Sequence, residues 1–143
     1  MRTLLITDDQ EGVLHTLGYV FGEHGYRTLL AKSGAAALEI ARTEHLDAAV
    51  VDVHMPAMDG FTVCSSLAAA ARETGRALPV WLMTGAYTTA AAAKTAEVGA
   101  IALLKKPFDS GELIKDMERC FAATLSIPTP MAATGVDKST NAA

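Results

Sequence analysis

Apolar residues along this chain come in short runs, separated by stretches with helical spacing. Residues 3–7, TLLIT, form one run that Asp8 and Asp9 end. A run of that length with polar bounds predicts a strand buried on both faces. Val13, Leu14, Leu17, Val20 and Phe21 then recur at three- and four-residue spacing, and Gly25 closes the segment as a C′ residue. Tyr26–Ala31 reads as a second strand. Ser33 or Gly34 opens an alanine-rich helix with Ala37, Leu38, Ile40 and Ala41, ending near His45. Residues 48–51, AAVV, form a third strand running directly into Asp52.

Next comes a loop, HMPAMDG, in which Pro56 and the Asp59-Gly60 pair are turn signals. A helix follows from about Phe61 to Arg72. Pro79–Met83 predicts a fourth strand, ending in Thr84-Gly85, and Tyr87–Val98 a helix stopped by Gly99. Ile101–Leu104 is a fifth strand, ending in Lys105-Lys106-Pro107. Asp109 or Ser110 can cap a last helix with Leu113, Ile114, Met117 and Phe121 on one face. Five strands alternating with five helices predict an α/β, doubly wound (βα)5 domain. Its parallel sheet has right-handed crossovers and helices on both faces. The domain is expected over 1–125. From residue 127 the segment IPTPMAATGVDKSTNAA has two prolines and no apolar period, so 126–143 reads as a flexible tail or the start of a linker.

The 143 residues are 50% apolar and 20% charged, which excludes a chain disordered throughout and fits one domain. A net charge of -4 provides no electrostatic footprint for nucleic acid, so none is expected as a direct partner. Cys64 and Cys120 stand far apart with no Cys/His cluster, which points to neither a zinc site nor a disulfide framework. The apolar run after Arg2 is too short for a signal peptide, and no stretch approaches the roughly 20 apolar residues of a membrane span. A soluble, cytoplasmic protein is expected.

Ligands of open parallel sheets bind beyond the carboxyl ends of the strands. Here the first strand ends in Asp8 and Asp9, the third in Asp52, the fourth in Thr84 and the fifth in Lys106. Each alone has a bland reading as a turn or capping residue. Together they place three carboxylates, a hydroxyl and an ammonium on one rim. Clustered carboxylates repel, so they need a cation or must raise their pKa values, and hard oxygen donors of this kind suit Mg²⁺. Carboxylate, hydroxyl and ammonium around a divalent ion are equipment for handling a phosphoryl group, with an aspartate as nucleophile.

In these pieces the chain resembles the receiver domain of bacterial response regulators, the phosphorylatable half of two-component signalling. They are LLITDD, VVDVHMPAMDG, LMTG and LLKKPF, within about residues 3–124. The resemblance implies a CheY-like strand order of 2-1-3-4-5. It makes Asp52 the phospho-acceptor, and Asp8, Asp9, Asp52 and the His54 backbone carbonyl the Mg²⁺ ligands, with Asp9 direct and Asp8 acting largely through water. Thr84 becomes the hydroxyl that bonds the phosphoryl oxygen. Lys106 is the site lysine. Lys105 competes for that role, but strand alternation lets only one of the two reach the site. The Lys106-Pro107 bond is expected to be cis. The implied partners are a sensor histidine kinase or histidine phosphotransfer protein and a downstream effector. The implied role is a switch, not a metabolic enzyme.

Some positions depart from the family. Leu103 stands where many receivers carry an aromatic residue, so activation is expected to use a different rearrangement from the usual threonine-to-aromatic coupling. His54 and Ala86 border the path of attacking water. The alanine-built stretch TTAAAAKTAEVG lies where receivers often dimerise, and a weak homodimer at most is expected of it. Met55, Met58 and Met83 fit packing better than a cofactor box. Two other functions compete with the switch: a receiver-like interaction module that is not phosphorylated, and a Mg²⁺-dependent aspartyl-phosphate phosphatase. The second lacks the acid such hydrolases carry two residues past the nucleophile, where this chain has His54.

Overall fold

A computed structural model describes residues 1–126, so the tail expected over 126–143 lies, apart from its first residue, outside the described residues. The elements are β1 (Thr3–Thr7), α1 (Glu11–Glu23), β2 (Arg27–Ala31), α2 (Gly34–Thr43), β3 (Ala48–Asp52), α3 (Gly60–Glu73), β4 (Val80–Thr84), α4 (Thr89–Glu97), β5 (Ala102–Lys105) and α5 (Ser110–Ser126). The five strands are parallel, in the order β2-β1-β3-β4-β5. Residues 1–110 form one compact unit holding the whole sheet, and the remainder of α5 belongs to a second. In α5 the buried positions are Leu113, Met117 and Phe121, a stripe at four-residue spacing, with Ile114 half-buried beside it.

The three central strands are buried at every position, which is why they read as unbroken apolar runs. One sheet face carries Leu5, Ala49, Val51 and Leu82 in a single core cluster with Ala37 of α2 and Val63, Cys64 and Leu67 of α3. The other face carries Leu4, Ile6, Val50, Trp81 and Met83, all fully buried. At its β2 end lies α1, whose Gly18 approaches the side chains of Leu30 and Thr28. Each aliphatic or aromatic side chain so buried contributes about 1.5–3 kcal/mol. Both cysteines are free, and burial pushes the Cys64 thiol up to about 11, leaving it an inert packing residue.

Helix ends follow the expected signals with small shifts. Ser33, Asp59 and Thr88 cap α2, α3 and α4 by accepting from Ala36 N, Thr62 N and Ala91 N at 3.1, 2.9 and 3.0 Å. The Thr88 cap corrects the expected start of α4 at Tyr87: Thr88 is extended, and Tyr87 stays in the exposed connection. Strand β4 begins at Val80, not Pro79, because proline has no N–H to give to the ladder, although its carbonyl accepts from Ala49 N at 3.0 Å. Strand β2 begins at Arg27 because the Tyr26 N–H closes α1, donating to Phe21 O at 3.1 Å, while Gly25 N donates to Gly22 O at 3.1 Å. This paired closure needs a left-handed residue at C′, and Gly25 has φ +90° there.

Gly25→Ala should therefore lower stability by about 1 kcal/mol. Gly22→Ala, in the last turn of the same helix with open space around it, should raise stability by up to about 0.5 kcal/mol. Urea unfolding of the two variants reads these opposite signs from one chemical change.

Candidate functional site

Register brings the strand ends level. Thr7 pairs with Val51, Asp52 with Met83, and Thr84 with Lys105. Side chains alternate along each strand, so Asp52, Met83, Leu104 and, two residues on, Lys106 face the same side of the sheet. Lys105 faces the other way and is exposed. Pleat parity thus puts Lys106, and not Lys105, on the side of the sheet that carries Asp52.

Lys106 Nζ lies 2.9 Å from Asp8 Oδ2 and 3.1 Å from Asp52 Oδ1. Asp8 is fully buried and Asp52 is 3% exposed, so the ammonium is a shared counter-charge for two carboxylates with almost no water. The other Asp8 oxygen accepts from Gln10 N at 2.9 Å. Asp9 is exposed at the mouth of the group. Asp8, Asp9 and Asp52 each offer a carboxylate oxygen within 4.8 Å of the others, a hard donor set that fits a small divalent cation. The Lys106-Pro107 peptide is cis, as expected.

Burial, with the Asp8 charge second, raises the Asp52 pKa above the usual carboxylate value despite the hydrogen bond and charge of Lys106. Lys106 is raised too: burial alone would lower it, but hydrogen bonds to Asp8 and Asp52 and their negative charges outweigh that.

Thr84 is fully buried at the end of β4. Its hydroxyl donates to Ala86 O at 3.1 Å and accepts from Ala86 N at 3.1 Å. The His54 imidazole reaches the same oxygen, with Nε2 at 3.1 Å. His54, Ala86, Asp9, Asp52 and Lys106 line one groove. Leu103 pairs with Leu82 and is partly buried against the core cluster.

In the sequence Gly60 is half of a turn signal, and in the fold it does more. A Cβ on Gly60 would lie 2.3 Å from Asp52 O and 2.8 Å from Val53 Cα, and Gly60 N donates to Val53 O at 2.9 Å. The start of α3 is packed directly onto the backbone that presents Asp52. The HMPAM loop between them includes Ala57 at φ 70°, a left-handed conformation uncommon for alanine.

The response regulator receiver domain model matches residues 4–118. The chain belongs to this family. It is 33% identical over 121 residues to the response regulator MprA of Mycolicibacterium vanbaalenii, covering 85% of this chain and 51% of that protein. The chain thus spans about half the length of the curated relatives it matches. Among solved structures it is similar to the Francisella response regulator 1452 receiver domain, at 27% identity and TM-score 0.76, over 87% of this chain and 99% of that one. It also shares the fold of a chain in the CheX–CheY–BeF3–Mg²⁺ complex of Borrelia burgdorferi, at 22% identity and TM-score 0.73, over 84% of this chain and 89% of that one. As a receiver, the chain is a signalling module of two-component systems.

Two outcomes follow from the site's packing and charge. A carboxyl whose folded pKa is raised adds stability below its unfolded value and loses it as pH rises through the folded value. In metal-free protein, wild type should therefore lose stability relative to Asp52→Asn as pH rises through and above the carboxylate range, read by thermal melts. The raised Lys106 stays charged throughout that window and does not reverse the sign. Gly60→Ala should cost about 3 kcal/mol, the upper end for overpacking, because the added carbon meets backbone that cannot move aside, and urea unfolding measures the loss.

Proposed function

We propose that this receiver, over residues 1–125, is a phosphorylation-controlled switch that accepts a phosphoryl group on Asp52 from a phosphohistidine. The donor is a sensor histidine kinase or histidine phosphotransfer protein, and the changed surface is read by a downstream effector. The observation that carries this reading is the Lys106 ammonium, held 2.9 and 3.1 Å from Asp8 and Asp52 at the level ends of three strands. A structural ion pair needs neither the third carboxylate of Asp9 nor a hydroxyl at the neighbouring strand end.

An Asp52 carboxylate oxygen attacks phosphorus, the P–N bond breaks, and the histidine nitrogen leaves with its electron pair and takes a proton. Lys106 neutralises charge on the transferring oxygens. Thr84 turns its hydroxyl proton from Ala86 O to a phosphoryl oxygen. Mg²⁺ would be held by Asp8, Asp9, Asp52 and the His54 backbone carbonyl, and supplies the positive charge that lets the carboxylates stay ionised together. Both Asp8 oxygens are engaged by Gln10 N and Lys106, which favours Asp9 as the direct ligand and a water-mediated role for Asp8. The Borrelia CheY complex, which shares this fold, contains BeF3 and Mg²⁺, the combination proposed here for this chain. Among the described residues no helix is long and apolar enough to cross a membrane. A cytoplasmic location remains part of this proposal.

Trp81 is fully buried on β4, three residues before Thr84, and is the chain's one tryptophan. Its fluorescence should change when Mg²⁺ and beryllofluoride are added together, and Asp52→Asn should abolish the change. A small phosphodonor should give a product labelled at Asp52 in wild type only. Sustained hydrolysis of unrelated phosphomonoesters, or no response to either reagent, would refute the switch.

A further inference from the structure

Resting on the phospho-switch reading above, we propose that the His54 side chain is a latch. It fastens Thr84 in its unphosphorylated setting and must let go when the phosphoryl group arrives. A threonine hydroxyl has one proton and two lone pairs. Here three partners stand at 3.1 Å: Ala86 O, Ala86 N and His54 Nε2. If the proton goes to Ala86 O, the imidazole donates Nε2–H into the second lone pair. Sending the proton to Nε2 instead would leave Ala86 O facing a lone pair at 3.1 Å, so the first arrangement is the one that satisfies all three partners. The imidazole N–H then holds the oxygen in the setting that points its proton at Ala86 O and away from an incoming phosphoryl oxygen.

Thr84 is fully buried, so water does not offer its hydroxyl a replacement partner in the resting protein. The contact spans 30 residues of sequence and ties the loop after β3 to the end of β4. His54 itself is exposed and lines the groove that contains Asp52, Ala86 and Lys106. It can therefore swing away without disturbing the core. In these terms His54 is a positioning residue, which acts through Thr84 and biases the resting against the phosphorylated arrangement.

Removing the latch should make activation easier. With Mg²⁺ present, His54→Ala should bind beryllofluoride about 2- to 10-fold more tightly than wild type by Trp81 fluorescence, the worth of one such hydrogen bond. His54→Gln keeps a donor and an acceptor at similar reach and should stay near wild type. In a Thr84→Ala background, His54→Ala should change nothing further, because the latch has nothing to hold. In the unliganded protein, Thr84 side-chain couplings should report one rotamer in wild type and averaging in His54→Ala. Equal affinities and equal couplings for wild type and His54→Ala would overturn the latch alone. Weaker binding by His54→Ala would also overturn it, by making the imidazole a ligand of the phosphoryl analogue. A wild-type chain that binds no beryllofluoride would overturn the phospho-switch reading and the latch with it.

Discussion

Two carboxylates buried side by side are tolerable only with a positive charge between them, and in this receiver that charge is the Lys106 ammonium. Neither Asp8 nor Asp52 has enough water to screen its neighbour, so each would repel the other if the lysine left. Burial first, and the Asp8 charge second, raise the Asp52 pKa even with the ammonium in contact, and that one ammonium is shared by two buried acids with Asp9 close by. The resting site is therefore short of positive charge, the condition that suits it to a divalent ion.

The parallel sheet makes that arrangement precise without dedicated scaffolding. Its three central strands are fixed by burial on both faces, so their ends cannot slip by one residue without turning every side chain over. Such a slip would carry Asp52 into the α2–α3 side of the core and strand Lys106 opposite nothing. The apolar packing of residues far from the rim thus holds the acids to within hydrogen-bond distance of the lysine. Thr84, at the end of the neighbouring strand, belongs to the opposite parity and is governed by a separate set of contacts with Ala86 and His54.

Much of this was readable from the sequence. Strands buried on both faces leave unbroken apolar runs, and the residue that stops each run becomes a rim residue, which is how Asp8, Asp52 and Thr84 could be gathered in advance, while Lys106 rested on the Lys-Pro pair of the family resemblance. The period-two pleat even separated Lys106 from Lys105. Element edges were less legible, because competing donors decide them: Thr88 takes over the start of α4, and Phe21 O captures the Tyr26 N–H before β2 can use it. The His54–Thr84 contact was out of reach, since no local pattern links side chains 30 residues apart. Gly60 left a trace in the Asp-Gly pair, but the same pair marks ordinary turns, and only coordinates reveal the backbone pressed against it.

That close approach has a mechanical meaning. With no side chain between them, the first turn of α3 and the last peptide of β3 behave as a single rigid piece, and residues 54–58 form an arch spanning a fixed gap. Changes in the length or stiffness of the arch are taken up between residues 54 and 58, while the end of β3 that presents Asp52 stays joined to α3. Substitutions that leave Gly60 in place can therefore reshape the arch while its two feet stay joined.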